Sequence, residues 1–180
     1  MGRLGIYKVD LKGMKEPTAT YEWVVGNEFF ALVEGEDLQK GAIDVSLTVS
    51  KQADLFNLEF EISGEAIVSC DRCLDDLAIP VETSGEIKVK LGADFADDGD
   101  ILIIPEEDGT INVSWYIYEF IVLSLPMKRV HAPGRCNKEM MEKLSEHLID
   151  DVEDSSSDGN GGEIDSRWSE LKKIIEINND

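Results

Sequence analysis

The chain has 180 residues, enough for one domain plus an appendage and for burying about two-thirds of the surface its unfolded form exposes, so no oligomer is needed to explain its stability. A hydrophobic content of 42% places it among folding globular chains. Lys and Arg number only 17 against 38 Asp and Glu, a formal net charge of -21, which argues against generic attraction to phosphate and leaves a local basic spot or a basic protein partner as routes to binding.

The start, MGRLGIYKVDLKGM, has neither the charged-then-apolar pattern of a secretory signal nor the hydroxyl residue of a myristoylation motif, so the expected location is cytoplasmic. RLGIYKVDLKG and TYEWVV read as strands, and NEFFALVEG as a short helical turn with Asn27 as N-cap and Gly35 beyond its end. From Ile43 to Ile104 the text is strand language. AIDVSLTVS, NLEFEISG, EAIVSC and EIKVKL alternate or cluster β-branched residues between Gly, Asp and Asn, and strands this close in sequence are most simply antiparallel.

Residues 94 to 113 then hold seven acids and no base, predicting a solvated loop with ILIIP as an edge strand. Helical period follows: Ser114 is placed to cap WYIYEFIVLSL, Pro126 ends it, and Asn137 is placed to cap KEMMEKLSEHLI. INVSWYIYEFIVLSLPM is the most apolar stretch, but Glu119 interrupts it and Pro126 closes it short of the roughly 20 residues a membrane span needs. Between Asp150 and Asp165 lie seven acids and no base, with DSSSDGNGGE offering nothing apolar to offset ordering entropy, so a mobile tether is predicted. It leads to SRWSELKKIIEI, capped by Asp165, with Trp168, Leu171, Ile174 and Ile175 on one face. No internal repeat is visible. The expected fold is α+β: an antiparallel curved sheet or partial barrel with a C-terminal helical layer, comprising a core over 1–149, an acidic tether over 150–165 and a docked helix over 166–180.

Three cysteines, an odd number, fit a reducing compartment better than a secreted disulfide framework. Two of them, Cys70 and Cys73, form a Cys-x-x-Cys turn in SCDRCLDD, and three readings compete for it. A zinc knuckle needs two further soft or imidazole ligands, and MKRVHAPGRCNKEM supplies His131 and Cys136, completing a Cys₃His set suited to a structural ion. Alternatively, the cysteines are small, partly buried turn residues without a ligand. Thiol-disulfide exchange would need Cys70 at a helix N-terminus, but strand text surrounds it and no βαβ pattern accompanies it.

A second constellation is electrostatic. Lys128, Arg129, Arg135 and Lys138 lie in a stretch without acids, and Arg72 joins them if the knuckle packs beside that stretch, forming a compact candidate surface for RNA phosphate. The competing reading is a solvated loop whose cations pair with the acid-rich segments. His147 fits the last turn of a helix, and Trp115, Tyr116, Tyr118 and Phe120 fit core packing better than base stacking. Walker, dinucleotide, nucleophile-elbow and HExxH patterns are all missing, so no catalytic residue and no small-molecule substrate are assigned.

SCDRCLDDLAIPVE, preceded by FEISGEAIV and followed by an acid-rich loop, a helix and DSRWSELKKI, resembles the YceD family, the large ribosomal RNA accumulation proteins of bacteria and plastids. The resemblance covers nearly the whole chain. It is carried most specifically by Cys70 to Leu74, with support from VHAPGRC and from Asp165 to Trp168. It implies a non-enzymatic factor needed for normal levels of large-subunit ribosomal RNA, partnered by a precursor of that RNA or by a basic ribosomal protein, with no membrane involved. Two other classes compete: a thiol-disulfide redox protein, and a zinc-stabilised interaction module outside ribosome assembly.

Overall fold

The computed structural model describes residues 3–147 apart from Glu36, Asp98 and Asp100. The chain divides into two compact units, Met1–Lys143 and Leu144–Asp180. The tether expected over 150–165 and the helix expected over 166–180 lie outside the described residues.

A six-stranded, unclosed sheet organises the first unit. Strands β2 (Thr18–Val25), β3 (Lys40–Gln52), β4 (Leu55–Ser69) and β5 (Asp76–Gly92) run as an antiparallel meander with Trp23, Val45, Ile62 and Thr83 in one register row. The period-2 pattern of the sequence explains the pairing. Ile43, Val45, Leu47 and Val49 of β3 and Phe56, Leu58, Phe60 and Ile62 of β4 are buried on one face, while Asp44 and Glu59, Glu61 and Glu65 point to the other. Each buried side chain contributes about 1.5–3 kcal/mol, and a one-residue slip would expose the whole row.

NLEFEISG and EAIVSC prove to be a single strand. Gly64 stays in register opposite Ile43, where a Cβ would meet the Ala42 carbonyl oxygen at 2.4 Å. β6 (Ala96–Asp97) and β7 (Ile101–Pro105) complete the sheet. ILIIP does not take the edge: β7 pairs parallel with β5 and antiparallel with β6, so the two-residue β6 is outermost and the sheet is mixed. The hairpin that turns β6 back onto β7 sets β7 parallel to β5. The opening segment is less extended than its text suggests. Arg3–Tyr7 is a 3₁₀ turn, and only β1 (Lys8–Asp10) is a strand, pairing with β8 (Thr110–Asn112) as a separate ribbon.

Helices cover one face only. The short α1 (Asn27–Val33) buries Phe29 and Phe30, and α2 (Ser114–Ser124) buries Ile117, Tyr118 and Ile121. Phe120 of α2 sits over Gly85 of β5, where a Cβ would lie 2.4 Å from its ring, and packs on Phe60 with centroids 5.3 Å apart. The Tyr118 hydroxyl accepts the Asp37 and Leu38 amides at 3.2 and 3.4 Å.

Two caps fall one residue from expectation. Gly26 is the N-cap of α1, and Asn27 instead accepts the Gly41 amide at 3.0 Å, tying the helix to β3. Val113 caps α2 without a side-chain bond, and Asn112 accepts the Ser114 amide at 3.0 Å. Asn137 caps α3 (Lys138–His147) as expected, accepting the Glu139 and Met140 amides at 3.1 and 3.3 Å. Since α3 buries none of its residues, the layer over the sheet is α2 with α1. No helix among the described residues is long and apolar enough to cross a membrane.

Candidate metal centre

The turn between β4 and β5 is built by its backbone. The Cys70 amide donates to the Asp75 carbonyl at 2.9 Å and the Leu74 amide to the Cys70 carbonyl at 2.9 Å, with Leu74 held in the left-handed region at φ 63. That conformation is costly for a residue with a Cβ and is sustained by the two bonds around it. The turn bends the chain so that the amides of Arg72 and Cys73 are directed at Cys70 Sγ.

A second loop, between α2 and α3, is fastened to this turn from both sides. The Asp71 amide donates to the Arg129 carbonyl at 2.7 Å, and the Arg129 amide donates to Asp71 Oδ2 at 2.7 Å. Two residues on, His131 reaches the knuckle. The loop then turns, with the Arg135 amide donating to the Ala132 carbonyl at 2.9 Å and Gly134 at φ 78, and presents Cys136. Cys70, Cys73, His131 and Cys136, expected from sequence as one set, converge with their ligand atoms all within 4.8 Å of one another. All three cysteines are free thiols.

The histidine is oriented for ligation. Its Nε2 lies 3.3 Å from the Asp76 carbonyl oxygen, which can only accept, so the proton sits on Nε2 and the Nδ1 lone pair faces Cys73 Sγ at 3.4 Å. Burial pushes the Cys70 thiol up, but the amides of Cys73, Arg72 and His131 and the Cys73 thiol outweigh it and bring Cys70 down to about 6. His131 is raised by the hydrogen bonds its protonated ring donates to Cys70 and then Cys73, and Cys136 is raised first by burial and then by the neighbouring sulfurs. Three sulfurs and an imidazole thus share a small volume, and a cation is what relieves such a cluster once the thiols deprotonate.

The donor set fits zinc. Tetrahedral zinc at its usual bond lengths holds sulfur atoms about 3.8 Å apart and sulfur about 3.6 Å from nitrogen, so a small contraction of this cluster would close a four-coordinate Cys₃His site. With all four positions taken by protein, a metal here would be structural.

The cations expected to meet RNA surround the centre unevenly. Arg72, Lys128, Arg135 and Lys138 are exposed and make no ion pair among the described residues. Arg129 is half-buried, its Nε 4.0 Å from Asp71 Oδ1, and serves mainly to fasten the loop. Sequence reasoning missed Asp71 and the Asp76 carbonyl. The first had a signal, an Asx residue directly after the first knuckle cysteine. The second is a backbone group and had none. The exposed acids of the open sheet face were also missed, although Glu59, Glu61 and Glu65 all fall on one alternation in EFEISGE.

The structure is thus a curved α+β sheet carrying a two-loop Cys₃His cluster at one turn, and the comparisons supply a family for it. Residues 58–175 match the family described as "Large ribosomal RNA subunit accumulation protein YceD", and the chain belongs to that family. It is also 28% identical over 157 residues, 82% of this chain and 87% of the relative, to "Uncharacterized protein YlbN" of Bacillus subtilis (strain 168). No solved structure gives a significant match.

Proposed function

We propose that this chain is a non-enzymatic binding factor that supports accumulation of the large ribosomal RNA subunit, with a structural zinc ion pinning the cation-bearing loop 128–138 to the β4–β5 turn. Family membership supplies the process. The observation that supports the molecular reading is the convergence of Cys70, Cys73, His131 and Cys136, since Arg72 lies in sequence between two of these residues and Arg135 directly precedes a third. Phosphate contact by those side chains is the chemistry the arrangement favours in a chain that is otherwise acidic. The thiol-disulfide reading fares worse, since Cys70 and Cys73 are 0% and 1% exposed and a disulfide substrate needs access to the attacking sulfur.

Crosslinking in growing cells, followed by capture of the full chain and sequencing of bound RNA, tests the proposal. Large-subunit precursor RNA should be enriched, and replacing Arg72, Lys128, Arg135 and Lys138 together with Ser should reduce it at least fivefold. Unchanged RNA capture by the quadruple variant would remove the phosphate-contact role from this loop.

A further inference from the structure

We infer that the open face of the six-stranded sheet is a docking surface for an extended Lys/Arg-rich polypeptide segment, of the kind RNA-binding proteins carry as cationic tails. The inference rests on the sheet and is independent of the metal centre. α1 and α2 cover the apolar face, whereas no described element covers the other. Across β2 to β5 that bare face carries a trough of about 790 Å³.

The strand register fixes what the trough presents. Glu22, Ser46 and Glu61 stand in one cross-sheet row, and Asp44, Ser63 and Glu82 in the next, so carboxylates alternate with hydroxyls from strand to strand. All four carboxylates are exposed, and no cationic residue lines the trough. The cations of this face stand outside the trough: Lys40 pairs with Asp76 at 2.8 Å, Lys88 with Glu86 at 3.5 Å, and Lys90 lies further along β5.

A neighbouring row points the same way. Glu59 and Glu86 are direct cross-strand partners, a like-charge pairing that Lys88 offsets at Glu86 alone, which leaves Glu59 with only the Asn57 amide among the described residues. Carboxylates two strands apart are about 9–10 Å from each other, while rows along a strand repeat at about 6.6–6.8 Å. Same-side side chains of an extended peptide repeat at that second distance, so successive cations of an extended segment can meet successive rows. The serine hydroxyls complete a polar, two-row template. A single metal ion is a poor occupant, because the carboxylates are spread over the face instead of converging. RNA is repelled by the same charge.

The test uses the full chain and a fluorescent peptide with eight Arg-Gly repeats as probe. In one variant, E22Q, D44N, E61Q and E82Q neutralise the trough. In a second, D94N, D97N, E106Q and E107Q remove the same charge elsewhere. The trough variant should bind at least tenfold more weakly at 0.15 M salt, and the second variant should stay within threefold of the parent. Equal weakening of both, or of neither, would overturn the inference, as would an RNA oligonucleotide whose binding the trough variant abolishes. Backbone amide shifts give a second reading: probe-induced changes should map to β2–β5. The Arg72, Lys128, Arg135 and Lys138 variant should keep its peptide affinity even if its RNA capture fails, which separates failure of this inference from failure of the RNA reading.

Discussion

Cys73 meets two other members of the site: it is 1% exposed, its sulfur lies 3.4 Å from His131 Nδ1 and its backbone amide is directed at Cys70. Cys73→Ser should lower zinc affinity by more than the roughly 10–100-fold lost when a group hydrogen-bonded to a metal ligand is removed, as read by competition with a chromogenic chelator. Full zinc retention by that variant would exclude Cys73 as a ligand. The four ligand residues were legible because the sequence offers so few soft donors. The tautomer of His131 was not, since it depends on the Asp76 carbonyl, which only the folded backbone places at 3.3 Å. Tyr7 gives a second prediction. Its burial against Trp23 and Phe29, and then the charge of Glu28, raise its pKa above 10.0. An acid whose folded pKa is raised adds stability that is complete below the unfolded pKa and is lost as pH rises through the folded one. Melting temperature should therefore fall above pH 10, and Tyr7→Phe should fall less, while the two proteins melt alike at pH 7.

At the scale of elements, the long pair β3–β4 holds the core together, and Gly64 is its most crowded position for a side chain. A Cβ on Gly64 would meet Ala42 O at 2.4 Å and Ile43 Cα at 2.7 Å, both backbone atoms of the paired strand. Gly64→Ala should destabilise the protein by about 1–3 kcal/mol, measured by urea unfolding, because the two strands must separate locally. A loss below about 0.5 kcal/mol would mean the ladder yields there without cost. Period-2 alternation made β2, β3 and β4 legible, and Asn137 was legible as a cap. The rank of ILIIP in the sheet was not. Its composition suits an edge or an inner position equally, and the decision rests with Ala96 and Asp97, two residues whose pairing to Ile103 and Leu102 has no sequence signature. The covering role expected of α3 failed for a similar reason: an amphipathic period in KEMMEKLSEHL states that a helix has an apolar side but not what covers it.

The whole molecule separates its charges by function. Five of the 17 cations, Arg72, Lys128, Arg129, Arg135 and Lys138, lie on the two loops that carry the candidate metal ligands, while carboxylates spread over the open sheet face and the 94–108 segment. Because the knuckle only joins β4 to β5, chelation should loosen loop 128–138 and leave the sheet folded, visible as amide exchange that rises in that loop but not in β3 and β4. A global loss of protection on chelation would instead make the metal a condition of the fold.

Charge also sets how stability responds to salt. With a net charge of -21, the folded chain concentrates repulsion that its extended form relieves, and directly opposed pairs such as Glu59 and Glu86 add to it. The Debye length falls from about 30 Å at 0.01 M salt to about 8 Å at 0.15 M, shorter than the 9–10 Å between carboxylates two strands apart. Most exposed ion pairs here are isolated and contribute about 0–1 kcal/mol each, so the repulsion removed by screening exceeds the attraction lost with it. Melting temperature, followed at pH 7 with saturating zinc, should rise by several degrees over that salt range, since about 1 kcal/mol corresponds to roughly 2–4 °C for a chain of this size. The E22Q, D44N, E61Q and E82Q variant should start higher and gain less, because its amides no longer repel. A melting temperature that falls with salt in the parent would place the balance with the ion pairs and deny the open face its unrelieved charge.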